Sequence, residues 1–137
     1  MLAEKRLCRS LSICKYHSLS CSLFSQKAEN TKVSIIGDVI LKGKKEFWGR
    51  SNVHYHHMMK AGQNTLNADC ARLMTRLIGD LGHYDRDIFL DRYIAFMQDP
   101  GSTKDVYAES FHRGFFANLV FEGKPPHLCG TVTIFDC

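Results

Sequence analysis

Long apolar runs are missing from this sequence. None approaches the roughly 20 residues that a membrane-spanning helix needs, and no signal-peptide-like apolar centre occurs. A membrane partner is therefore not expected. Cys-x-x-Cys is absent among the six cysteines, and no Cys/His spacing matches a zinc finger. Reduced thiols in a cytoplasmic protein are expected rather than a disulfide scaffold. A dense Lys/Arg stripe with interleaved aromatics is also lacking. The formal charge is only +4, and basic residues alternate with acidic ones, as in Asp85-Arg86-Asp87 and Asp91-Arg92. Nucleic acid is thus not an expected partner either.

The residues present suit a globular chain. Hydrophobic residues make up 45% and charged residues 23% of 137 positions, enough for one domain with a real core. Residues 1–32 stand apart from the rest. Of these, residues 1–30 carry Lys5, Arg6, Arg9, Lys15 and Lys27 against Glu4 and Glu29, with many serines and with Cys8, Cys14 and Cys21. Basic, Ser-rich and acid-poor is the composition of a transit peptide, so a mitochondrial destination stands beside the cytoplasmic one. This segment is expected to be disordered or weakly helical.

Residues 33–41 are β-branched and apolar and predict a short strand or extended segment, interrupted at Gly37-Asp38. From Asn64 the pattern turns helical: Leu66, Cys70, Leu73, Leu77 and Leu81 make one apolar stripe. Asn64 or Thr65 can cap its start and Gly82 can end it. A second helix is predicted over Arg86–Gln98, capped by Asp85 and stopped by Pro100-Gly101. A third is predicted from Ser102 or Thr103 to Glu122. Its residues Phe111, Phe115, Phe116 and Leu119 belong to two adjacent apolar seams. Three helices with short connections define an all-α domain with a short extended N-terminal segment.

Three groups of residues carry possible chemistry. His54 and His56 have a spacing that puts both on one face of a strand, with His57 adjacent, but no acidic or cysteine partner lies close in sequence, so no metal site is assigned. Asn64, Thr65 and Asn67 sit at a helix start, where free N–H groups can receive an anion or simply be capped. Asp105, Glu109 and His112 follow at spacings of four and three, which would make them neighbours on one helix face. Such a group could serve acid–base catalysis or form a surface ion pair.

Two stretches carry a family resemblance. One is His54-Tyr55-His56-His57-Met58-Met59-Lys60-Ala61-Gly62-Gln63-Asn64-Thr65-Leu66-Asn67-Ala68. The other combines Tyr93–Met97, Pro100-Gly101-Ser102, Asp105–Arg113 and Phe115–Asn118. Together they resemble the ADP-ribosylglycohydrolase family, in the branch that includes the J1 crystallins of jellyfish lens. Gly37-Asp38, Gly43-Lys44-Lys45 and Trp48-Gly49 are similar to the segment just upstream in that branch.

The resemblance covers roughly residues 33–130 and leaves 131–137 as a non-matching tail. It implies a mostly helical fold and a ligand of the ADP-ribose type, free or on a protein side chain. Active members hydrolyse the glycosidic bond of ADP-ribosylated substrates. They use two magnesium ions held by an early Thr-Asp-Asp cluster and a late Asp-x-Asp-Thr cluster. Here the early position reads Thr65-Leu66-Asn67, Gln63 replaces a glutamate, and nothing resembles the late cluster.

The resemblance therefore implies an incomplete, catalytically impaired member that holds no magnesium. Its ligand-binding residues would be Asn64, Thr65 and Asn67. The alternatives are a crystallin-like structural protein or a truncated product. An incomplete helical domain would also leave apolar surface uncovered, so self-association through Phe111, Phe115, Phe116 and Leu119 is expected.

Overall fold

In the computed structural model, the described residues are 33–50, 52 and 54–130. The expected disorder of residues 1–32 and the 131–137 tail lie outside them. The chain divides into two units, Met1–Ser34 and Ile35–Cys137. The described residues of the second unit are helical, with no strand among them, and none of their helices is long and apolar enough to cross a membrane.

Helix α1 spans Leu66–Leu81. Thr65 is its N-cap: the hydroxyl accepts from the Ala68 amide, and Gly82 ends the helix at φ 75°, in the left-handed conformation that glycine adopts without strain. The predicted stripe faces inward, with Leu66 and Leu77 buried and Cys70, Leu73 and Leu81 half-buried. Helix α2 spans Arg86–Gln98, and the Asp85 carboxylate caps it by accepting from Ile88 N at 2.9 Å. It packs against α1, with Arg92 donating to Asp80 of α1 at 2.8 Å.

Helix α3 spans only Ser110–Val120. The sequence predicts a start at Ser102 or Thr103, and the structure moves it some eight residues on. The cause is Asp105. Its carboxylate accepts from Val106 N at 2.8 Å and Tyr107 N at 3.2 Å, while its own amide donates to Thr103 Oγ1. Donors bound to local side chains are unavailable to a helical ladder, so residues 102–109 form an irregular segment.

The expected strand over 33–41 is also corrected. Ile35–Val39 winds into a kinked turn, extended only at Ile36, with Gly37 at φ 95°. Gly37 N donates to Ile40 O, and Ile40 N donates to Ile35 O. Coiling in this way buries Ile35, Ile36, Val39, Ile40 and Leu41 together, whereas an extended strand would send alternate side chains to opposite faces. The turn packs on α3.

The core is aromatic at its centre. Tyr93 of α2 lies edge-on to Phe115 at 5.2 Å and near Phe116 at 5.7 Å. Phe115 and Phe116 are both buried, Leu119 is half-buried, and Phe111 stays 48% exposed. At the end of α3, Asn118 donates to Cys129 O and accepts from Lys124, which ties the 124–129 segment back to the helix. Cys70 and Cys129 are both free thiols.

Candidate functional site

The head of α1 and the turn after α2 form the two walls of an open pocket of about 240 Å³. Asp99 builds the second wall. Its side chain accepts from Gly101 N, and its carbonyl accepts from the Ser102 hydroxyl at 2.9 Å. On the first wall, Gln63 Oε1 accepts from Lys60 N at 2.8 Å and closes the 60–63 turn. Gln63, Asn64, Asp69, Arg72, Ser102 and Lys104 line the space. Asn64 Nδ2 donates to Asp69 Oδ1 at 3.3 Å, and Arg72 donates to the same oxygen at 3.4 Å.

The three residues expected to bind ligand are thus split by the fold. Asn64 lines the pocket. Thr65 caps α1. Asn67 turns to α3, where its Oδ1 lies 3.0 Å from His112 Nε2. Two first-turn amides are already taken, Ala68 N by Thr65 and Leu66 N by the Asp105 carboxylate at 2.9 Å.

Asp105 is the hub below this pocket. With a side chain only 1% exposed, it accepts from three backbone amides and from His56 Nδ1, which is 3.0 Å away. A carboxylate only accepts, so the proton of this bond sits on His56 Nδ1. Lys44 reaches the same segment, and its ammonium donates to the carbonyls of Thr103 at 2.7 Å and Asp105 at 2.8 Å. Burial lowers the Lys44 pKa, and the Asp105 carboxylate partly offsets that.

His112 sits in a second buried network. Its Nδ1 is 2.6 Å from Tyr93 Oη. With Asn67 Oδ1 accepting at Nε2, the neutral ring carries its proton on Nε2 and accepts a hydrogen bond from the Tyr93 hydroxyl at Nδ1. Desolvation pushes His112 down to about 4 and raises the Tyr93 phenol above its ordinary value. Cys70 is half-buried, and desolvation pushes its thiol up to about 12, away from the thiolate form.

The expected face of Asp105, Glu109 and His112 does not form. Asp105 stands in the irregular segment, Glu109 Oε2 accepts from Tyr107 Oη at 3.3 Å, and His112 is enclosed by Tyr93 and Asn67. The acid–base arrangement inferred from their spacing required a helix that starts too late to hold all three.

The histidine run makes one local bond and one distant one. His54 Nδ1 accepts from His56 N, His56 engages Asp105, and His57 packs near Phe47. Among the described residues no three His, Cys, Asp or Glu side chains converge as metal ligands.

The oxygens at the early-cluster position do not fit two magnesium ions either. Magnesium needs hard oxygen ligands in an octahedron. Leu66 supplies none and is buried, the Thr65 hydroxyl caps a helix, and Asn67 faces an imidazole.

The histidine spacing, which suits either a metal or local hydrogen bonds, carried no sign of the His56–Asp105 contact, and Arg72 and Lys104 stand in no motif. Asp69 and Arg72, three apart on a helix, were the one local signal for the pocket's charge. Compared with known proteins, the chain matches no family model, no curated protein and no solved structure.

Proposed function

We propose that this chain is an ADP-ribosylglycohydrolase-like protein that binds ADP-ribose, free or attached to a protein side chain, and has lost the hydrolytic step. The observation that carries the reading is the position of Gln63 and Asn64. They belong to the stretch that resembles the family's early cluster, and they line the pocket at the head of α1. Loss of hydrolysis follows from the carboxylates. The early position has none, and Asp105 is committed to four donors that hold the fold.

Calorimetry of the full chain with ADP-ribose, with and without magnesium, tests binding. Heat that saturates in the millimolar range and weakens in Asn64→Ala supports it. No heat removes it. An assay on ADP-ribosylated arginine and serine substrates tests the second half, and turnover by the purified chain would overturn it.

A structural, crystallin-like role is the second reading. It is favoured by the use of Asp105, His56 and Lys44 as ties between distant segments. Cooperative unfolding with no ADP-ribose response would select it.

A further inference from the structure

We propose that the groove between α1 and the turn after α2 binds a small phosphate-bearing molecule through Arg72, Arg76 and Lys104. The inference rests on this cavity and its charge, independently of the family reading. Arg72 and Arg76 are four apart on α1 and therefore project from one face. Lys104 comes from the opposite wall. A second cavity of about 180 Å³ adjoins the first, sharing Asp69, Arg72 and Ser102, and adds Leu73, Arg76 and Phe96.

Charge is unevenly satisfied here. Arg86 pairs with Asp87, and Arg92 with Asp80. The first cavity sets Asp69 against Arg72 and Lys104, the second sets it against Arg72 and Arg76, and the Asp69 carboxylate is shared between Arg72 and Asn64. Among the described residues Arg76 and Lys104 have neither an ion pair nor a hydrogen-bond partner. Each of the two adjoining cavities thus holds two cations against one carboxylate, an excess that an anion would relieve, and guanidinium groups match phosphate oxygens in fork geometry. Leu73 and Phe96 give the adjoining cavity an apolar side for a ring or chain attached to the phosphate. The size of the groove and the lack of a continuing basic stripe favour a small molecule over a nucleic acid.

The test is an NMR titration of the full chain with inorganic pyrophosphate, and in parallel with ADP-ribose. The expected result is saturable shifts of the amides of Asp69–Arg76 and Ser102–Lys104. Arg76→Gln and Lys104→Gln should each weaken pyrophosphate by about tenfold, the loss of one charge-assisted hydrogen bond. Arg86→Gln, on a paired residue outside the groove, should not. Circular dichroism melts establish that the variants are folded.

Pyrophosphate binding of this kind without ADP-ribose binding sustains the groove and removes the proposed function. Two results overturn the groove. One is no saturable shift at about 10 mM pyrophosphate. The other is pyrophosphate binding that is unchanged in both groove variants, whereas ADP-ribose binding that persists in those variants leaves the proposed function standing.

Discussion

The imidazole Nδ1 of His56 lies 3.0 Å from Oδ1 of Asp105, 49 positions further along the chain. The same carboxylate accepts from Leu66 N, the first residue of α1. One buried side chain therefore joins the histidine segment, the head of α1 and the segment that leads into α3.

Asp105→Asn should cost about 3 kcal/mol of unfolding free energy, since it turns one acceptor into a donor facing donors in a buried site. His56→Ala removes a single, partly exposed partner and should cost about 1 kcal/mol. Urea denaturation measures both. A loss below about 1 kcal/mol for Asp105→Asn would show that the hub does not hold the fold.

His112 makes stability depend on pH. Its ordinary value of 6.5 is pushed down to about 4 in the fold, so between these values the unfolded chain holds a proton that the native chain lacks. Stability attributable to the ring should therefore fall as pH drops from about 6.5 to about 4, by on the order of 3 kcal/mol, and level off below. Urea midpoints across that range should slope less in His112→Gln. Parallel slopes would mean that His112 titrates normally in the fold.

Much of α1 and α2 was legible in the sequence because their signals are local. The stripe from Leu66 to Leu81, the Asp85 cap and the Gly82 stop all lie within a few residues of the structure they control. The late start of α3 was not legible, because Asp105 is held by Leu66 N and His56, 39 and 49 positions away. The same holds for the site. Asn64 was placed correctly at the head of a helix, but the partner of Asn67 is 45 positions distant, so its turn away from the pocket left no local trace. The β-branched, apolar content of 33–41 predicted a strand or extended segment, while the observed coil depends on Gly37 taking a positive φ.

Gly37→Ala should be among the more damaging small changes. The added Cβ would lie 2.5 Å from Lys45 Cβ, and φ 95° is strained for any L side chain. Clash and strain together predict a loss of about 2 kcal/mol or more, read as a lower thermal midpoint. An unchanged midpoint would mean that the 35–41 coil rearranges freely.

The α3 surface open to self-association is smaller than the sequence implies. Phe115 and Phe116 are buried in the described fold, which leaves Phe111 and Val120 exposed. Sedimentation velocity over a concentration series should show association that Phe111→Ser reduces. A monomer at every concentration would remove α3 as a contact surface.

An ADP-ribose titration followed by amide NMR shifts bears most closely on the proposed binding at the head of α1. Saturable shifts concentrated at Gln63, Asn64 and residues 101–104, weakened in Asn64→Ala, are expected. The absence of saturable shifts at millimolar ADP-ribose, or shifts confined to residues away from the head of α1, would contradict that binding.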